Sequence, residues 1–239
     1  MQTKTFTLDG QAIPFTEGQT LMDAATAAQV YIPHLCHHPE FKPHGSCKLC
    51  TVKVNGRNCS ACTFPAQEGL QVLSNTRELN ETRRTLTQML FVEGNHLCPA
   101  CEKSGDCQLQ ATGYYLGMLG NRFPPFFPHR TMDASHPDIL LDRDRCIFCE
   151  LCVRASQEVD GKNVFGIAGR GLHNHLVVNS PTGLLGDSEL SVTDRAAHVC
   201  PVGAILIKRH GFETPIGQRT YDHHDIAEVS LTREAAAHD

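Results

Sequence analysis

The chain has 239 residues, a formal charge of −5, no Trp and few aromatics, which suits one domain or two but leaves little from which to build large apolar cores. The acidic balance and the lack of a long basic run exclude a general nucleic-acid surface. No basic region and apolar stretch of a secretory signal opens the sequence and no run approaches a membrane span, so a cytoplasmic location without membrane contact is expected.

Residues 3–16 alternate apolar and polar side chains around Asp9-Gly10, the pattern of a hairpin with a tight turn. The Ala-rich run from Thr20 to Val30 predicts a short helix, and residues 31–50, dense in His, Pro and Gly, predict irregular backbone. Thr51 to Val54 reads as a strand stopped by Asn55-Gly56, and Leu70 to Leu73 as another. From Thr76 to Val92 a helix is predicted with Leu79, Leu86, Met89 and Leu90 on one face and Gly94 as its stop. Residues 96–120 follow as a small, mostly helical module. The prolines of 122–130 favour extended structure, a linker whose aromatics are expected to be buried across the surface. Cys149 to Val159 is predicted helical, Asn163 to Ala168 and Leu172 to Asn179 are predicted strands, and Ala204 to Lys208 is a last strand. Beyond it, 213–239 reads as a polar tail that orders on a partner.

Eleven of the twelve cysteines fall into three sets, which with His96 make twelve ligands, four per set. Set one is Cys36, Cys47, Cys50 and Cys62, where a central CxxC is flanked by donors from both sides, as a flat [2Fe–2S] cluster requires. Cys59 is the alternative to Cys62; if Cys62 closes the set, Cys59 is a small buried residue. Set two is His96, Cys98, Cys101 and Cys107, three thiolates for three corners of a cubane. His96 supplies the fourth donor if the backbone is extended there, because residues two apart then point the same way. The alternative leaves His96 outside the ligand sphere and gives the fourth iron to solvent or another side chain.

Set three is Cys146, Cys149, Cys152 and Cys200, with Pro201 after the last. Three thiolates within seven residues cup three irons, and Cys-Pro closes the site as in bacterial ferredoxins. The competing readings are structural zinc, which prefers paired CxxC knuckles, and disulfides, which belong to secreted chains. One [2Fe–2S] and two [4Fe–4S] clusters are therefore expected. Bound metal would supply folding free energy that small cores cannot, so the apo chain should be partly unfolded.

Gly166-Ile-Ala-Gly169-Arg-Gly171 has the wrong order for a dinucleotide fingerprint, and there is no P-loop. No catalytic residue is assigned and no active site of the chain's own is expected. The pairs His37-His38, His173-x-His175 and His223-His224 read as surface or hydrogen-bonding residues.

Four stretches, residues 45–54, 93–110, 145–154 and 199–204, resemble in this order the N-terminal part of the large iron–sulfur subunit of respiratory NADH dehydrogenase (complex I). They are still more similar to the small diaphorase subunit of soluble NAD-reducing [NiFe] hydrogenases of the Hox type, as is the tail around 214–222. The resemblance implies an α+β chain: a β-grasp [2Fe–2S] ferredoxin-like domain (1–75), a small helical [4Fe–4S] module of the one-histidine, three-cysteine type (76–120), a Pro-rich linker (121–140), a ferredoxin-like [4Fe–4S] domain (141–212) and a C-terminal tail (213–239). It implies a non-catalytic subunit of an oxidoreductase complex, relaying single electrons between a flavin- and NAD-binding diaphorase subunit and the small and large subunits of a [NiFe] hydrogenase. By analogy the [2Fe–2S] module lies toward the flavin. An electron-input module of a formate dehydrogenase or complex I-like assembly shares every motif and is the alternative. One departure stands out: the common pattern places histidine four residues before the first cysteine of set two, where this chain has Gly94.

Overall fold

Phe6 and Leu8 point to one side of β1 (Lys4–Leu8) and Ile13 and Phe15 to the same side of β2 (Gln11–Phe15), with Phe6 paired to Ile13 across the ladder. The turn between them holds Asp9 at φ 49° and Gly10 at φ 89°, the twist that suits a two-residue hairpin. In the computed structural model, residues 4–236 are described, and the chain divides into two compact units.

The first unit takes in the residues up to 87, 112–118 and those from 224 on. Its sheet adds β3 (Thr51–Val54), β4 (Arg57–Ser60) and β5 (Gln71–Leu73) in the order β2-β1-β5-β3-β4, with β1 and β5 parallel and the other pairs antiparallel. Pro14 sits in β2, an edge strand, where a missing N–H breaks no ladder. Helix α1 (Leu21–Ala27) opens on a capping box, the Thr20 side chain accepting from Asp23 N and Asp23 from Thr20 N. It is shorter than the predicted Thr20 to Val30, because the chain turns off into a left-handed Gln29 at φ 58°. Leu21, Met22, Ala24 and Ala25 close over Phe6, Leu8, Ile13, Val52 and Val72 in one continuous core, an α+β β-grasp architecture.

Helix α2 (Arg77–Glu93) buries Leu79, but its inward face continues through Arg83, Thr87, Gln88 and Val92, whereas Met89 is half exposed. The buried Arg83 is satisfied entirely by neutral partners. Its Nε donates to Leu49 O, Nη1 to Ser74 O and Asn80 Oδ1, and Nη2 to Thr51 O and Ser74 Oγ, all within 3.0 Å.

The second unit comprises 88–111 and 119–223. The first turns of α3 (Gln108–Tyr115) belong to it, and its strands make two two-stranded antiparallel sheets: β6 (Ile139–Leu141) with β9 (Ile205–Ile207), and β7 (Phe165–Ala168) with β8 (His175–Val178). The predicted helix 149–159 is α4 (Leu151–Arg154) widening into a π-helical stretch, Ala155–Val159. Helix α5 (Arg195–His198) carries the chain to Cys200. In the linker Phe126 and Phe127 are exposed rather than buried: the backbone turns at Phe127, φ 47°, and among the described residues no strand runs through this segment to draw it inward.

The tail does not wait for a partner to order. In the second unit Thr220 N donates to Asp106 Oδ1 at 2.9 Å, Tyr221 N to Gly105 O at 2.9 Å and Arg219 Nη1 to Ser104 O at 3.2 Å, which ties residues 219–221 across the loop between Cys101 and Cys107. An Arg219–Asp222 ion pair at 2.7 Å fixes the strap, holding the Asp222 carboxyl below its ordinary range. Helix α6 (Ile226–Ala236) then buries Ile226 and packs on α1 within the first unit. Residues 237–239 of the predicted tail lie outside the described residues.

Candidate metal centres

Cys47 and Cys50 stand at the ends of the turn preceding β3, and Lys48 between them takes φ 58°. A non-glycine side chain in that left-handed region costs about 1–2 kcal/mol, and the turn is secured by Thr51, whose N and Oγ1 both donate to Lys48 O. Arg83 binds the carbonyls of Leu49 and Thr51, on either side of Cys50. Cys47 N donates to Cys36 Sγ at 3.4 Å, and the Sγ atoms of Cys50 and Cys62 lie 3.4 Å apart. Cys62, not Cys59, thus meets Cys50. Cys59 is on β4 opposite Val52, packed against the core.

The four thiols of set one cannot ionise together unaided. Bonding to the Cys47 thiol pulls Cys36 down to about 4, and bonding to the Cys62 thiol pulls Cys50 down to about 7, while Cys47 and Cys62 are pushed well above the usual thiol range. Four thiolates in this buried place need a positive centre to share, which is what an iron–sulfur core offers.

In the second unit His96, Cys98, Cys101 and Cys107 line one cavity with Phe91, Leu109, Arg145 and Gly203, about 310 Å³ of space with its mouth included. His96 is packed edge-on to Phe91 with ring centroids 5.6 Å apart. Burial, helped by the nearby Arg145 charge, pushes its pKa down to about 4, so the imidazole is neutral. Its Nε2 is buried and has no hydrogen-bond partner, an orphan of the kind that a metal satisfies. The ring lies so close to the Cα of Gly94 that a Cβ there would collide with Nε2. The position that lacks histidine is therefore the position over which the His96 ring is laid. Burial raises the Cys98 thiol and pushes Cys107 up to about 12.

Cys146, Cys149, Cys152 and Cys200 line a second cavity of about 350 Å³, mouth included, with Ile147, Phe148, Ile167, Leu176, Val202 and Ile205 making its walls apolar. Phe148 and Glu150 alternate with the cysteines at φ 53° and 58°. These two left-handed residues curl the loop so that its thiols face inward, strain of the sort that clusters at functional sites. Phe148 N donates to Cys146 Sγ at 3.5 Å. Burial pushes Cys146 up to about 12 and raises Cys152 well above the ordinary thiol value.

None of the twelve cysteines is in a disulfide. Among the described residues no three His, Cys, Asp or Glu side chains close on a single-ion point; the donors of the second and third sets line cavities. Sequence reasoning missed Arg83 and Arg145, because a cation gives no periodic signal of being buried beside a cysteine loop.

Comparison with known proteins agrees with this layout. Residues 2–77 match the 2Fe-2S iron-sulfur cluster binding domain, 83–122 the NADH-ubiquinone oxidoreductase-G iron-sulfur binding region, and 139–207 the 4Fe-4S single cluster domain. The chain is 42% identical over 229 residues to the NAD-reducing hydrogenase HoxS subunit gamma of Cupriavidus necator, covering 95% of this chain and 97% of that one. It is 31% identical over 210 residues to the mitochondrial NADH-ubiquinone oxidoreductase 78 kDa subunit of Candida albicans, of which it spans 29%, and 30% identical over 208 residues to the NADPH-Fe(3+) oxidoreductase subunit alpha of Geobacter sulfurreducens, of which it spans 24%. A chain in the crystal structure of an NAD+-reducing [NiFe]-hydrogenase in the H2-reduced state has a TM-score of 0.94 and 55% identity, with 98% of this chain and 99% of that chain covered. The relatives are oxidoreductases and oxidoreductase subunits, and the matching domain families bind iron–sulfur clusters. Within that class, the chain belongs to the family of the gamma subunit of NAD-reducing hydrogenase.

Proposed function

We propose that this chain is the electron-relay subunit of an NAD-reducing [NiFe] hydrogenase, and that it holds one [2Fe–2S] and two [4Fe–4S] clusters without an active site of its own. The observation that carries the reading is the end-to-end match to a chain of such a hydrogenase, combined with three cysteine sets that each gather their donors. The ligands are Cys36, Cys47, Cys50 and Cys62 for the [2Fe–2S] cluster, His96, Cys98, Cys101 and Cys107 for one cubane, and Cys146, Cys149, Cys152 and Cys200 for the other. When bound, such clusters accept and release single electrons.

The chain's own residues hold and insulate them. Thiolates fix each site, the neutral His96 leaves the middle site with one negative charge fewer than four thiolates would, and the apolar walls around Cys146 to Cys152 keep water from the third. The organisation that goes with this reading is a [2Fe–2S] domain over 1–75, a [4Fe–4S] module over 76–120, a linker over 121–140, a [4Fe–4S] domain over 141–212 and a tail from 213. A flavin- and NAD-binding diaphorase subunit and the small and large [NiFe] hydrogenase subunits are its partners, in the cytoplasm; among the described residues no helix is long and apolar enough to cross a membrane. Anaerobic purification with iron and acid-labile sulfide analysis tests the cluster assignment. The purified chain alone should neither oxidise NADH nor evolve hydrogen, and adding the flavin subunit should restore NADH-driven dye reduction. Intrinsic NADH oxidation by a flavin-free preparation would refute the relay role.

A further inference from the structure

Arg145 is the residue immediately before Cys146 of the third set, yet its side chain belongs to the middle one. Nη1 donates to Cys101 Sγ at 3.7 Å and to Glu102 Oε2 at 2.6 Å, while Nε donates to Asp142 Oδ2 at 2.8 Å. The side chain is only 17% exposed. Among the described residues lining the middle cavity it is the one that carries a permanent charge. A Cβ on Gly203, three residues past Cys200, would stand 3.0 Å from Cys101 Sγ and 3.3 Å from Arg145 Nη1. Any side chain larger than glycine there would crowd the Cys101 sulfur and the guanidinium, which would have to give by a few tenths of an ångström. The backbone of the third set has thus been shaped at two points, 145 and 203, around one thiol of the second.

We infer that Arg145 sets the reduction potential of the middle cluster, through its N–H···S bond to Cys101 and its charge at the cavity wall. The inference rests on the cluster assignment proposed above. Reduction adds negative charge to a cluster, so a donor and a cation at a ligand sulfur favour the reduced form and raise the potential. A guanidinium stays protonated in proteins, and ion pairs to Glu102 and Asp142 accompany its charge at this half-buried place. Glu102 and Asp142 also orient it: two carboxylates on the fork leave one N–H aimed at sulfur. Arg145 is a positioning residue in this sense, acting on electrons through Cys101 rather than touching a substrate.

The test is an EPR-monitored redox titration of both cubane signals in the assembled complex, for the wild type and for Arg145→Gln and Glu102→Gln. Arg145→Gln is expected to shift the oxidised-to-reduced ratio of the middle cluster at a fixed potential about tenfold toward oxidised, a drop of about 59 mV for one electron, with a smaller shift at the third cluster. Glu102→Gln keeps the arginine and removes a negative charge, so it should move the middle cluster the opposite way. If Arg145→Gln loses the cluster by misfolding, the Glu102→Gln shift decides alone. Intact cubane signals that neither variant moves, or that move equally at both clusters, overturn the inference while leaving the cluster assignment standing. A wild-type complex without a separable middle signal overturns both.

Discussion

The two units solve the same problem, gathering sets of cysteine thiols, by different means. In the first, Cys50 and Cys62 are members of a core that runs from β1 to α1 and would exist without them. In the second, the sheets have only two strands each, and a two-stranded sheet is marginal alone in water; the cysteine loops are held by ion pairs, a strap from the tail and strained backbone. The difference teaches that one site is mounted on a fold while the other two are much of what makes the fold. Removing iron and sulfide anaerobically should therefore have the largest effect of any perturbation. Amide exchange protection is expected to vanish over 96–110 and 142–155 and to survive at Phe6, Val52 and Val72. Equal loss in both units would erase the distinction.

A sharper version targets the brace of the first site. Arg83→Ala strips hydrogen bonds from the Leu49, Thr51 and Ser74 carbonyls and leaves buried acceptors orphaned, each worth about 1–3 kcal/mol. The first unit should lose about 3–5 kcal/mol in urea unfolding, with the [2Fe–2S] signal broadened because the turn around Cys50 slackens. The cubane signals should not change.

At the middle site the comparison runs through one methyl group. Gly94→Ala places a Cβ against both the His96 ring and the Asp144 carbonyl, so the ring must leave its place and the backbone before Cys146 must give, at about 1–3 kcal/mol for overpacking. The expected result is the middle cluster's EPR signal altered as in His96→Ala, with the [2Fe–2S] cluster unchanged. Unaltered spectra in both variants would remove His96 from the ligand set.

What is legible in the sequence follows from the kind of signal each feature leaves. The β1–β2 hairpin and β3 declare themselves through alternation and the Asp9-Gly10 and Asn55-Gly56 turns, and the cysteine sets through spacing that needs no tertiary knowledge. The buried face of α2 does not, because a guanidinium bonded to carbonyls is as buried as leucine but reads as surface; periodicity turns Met89 inward and Arg83 outward, and the structure reverses them. The strap at 219–221 is equally silent. Its anchors are backbone N–H groups meeting Asp106 and Gly105 more than a hundred residues away, and neither periodicity nor composition records such a bond. The exposure of Phe126 and Phe127 departs from expectation for a related reason, since aromatic residues predict burial only where an element carries them inward.

The smallest effect isolates strain from ligation. Lys48 is held at φ 58° in the turn between Cys47 and Cys50, where glycine is free of the roughly 1–2 kcal/mol left-handed cost but gives back about 0.5–1 kcal/mol through the more flexible unfolded chain. The bonds from Thr51 to the Lys48 carbonyl involve only backbone at position 48 and survive the change. Lys48→Gly should then raise the stability of the first unit by less than about 1 kcal/mol in urea. The [2Fe–2S] EPR line shape should stay as it is, because the thiols keep their positions. A loss of stability would mean that the long side chain, which reaches Ser60 Oγ at 3.5 Å, contributes more to this turn than its backbone costs. The mounting of the first site would then depend on its own loop as well as on the core beneath it.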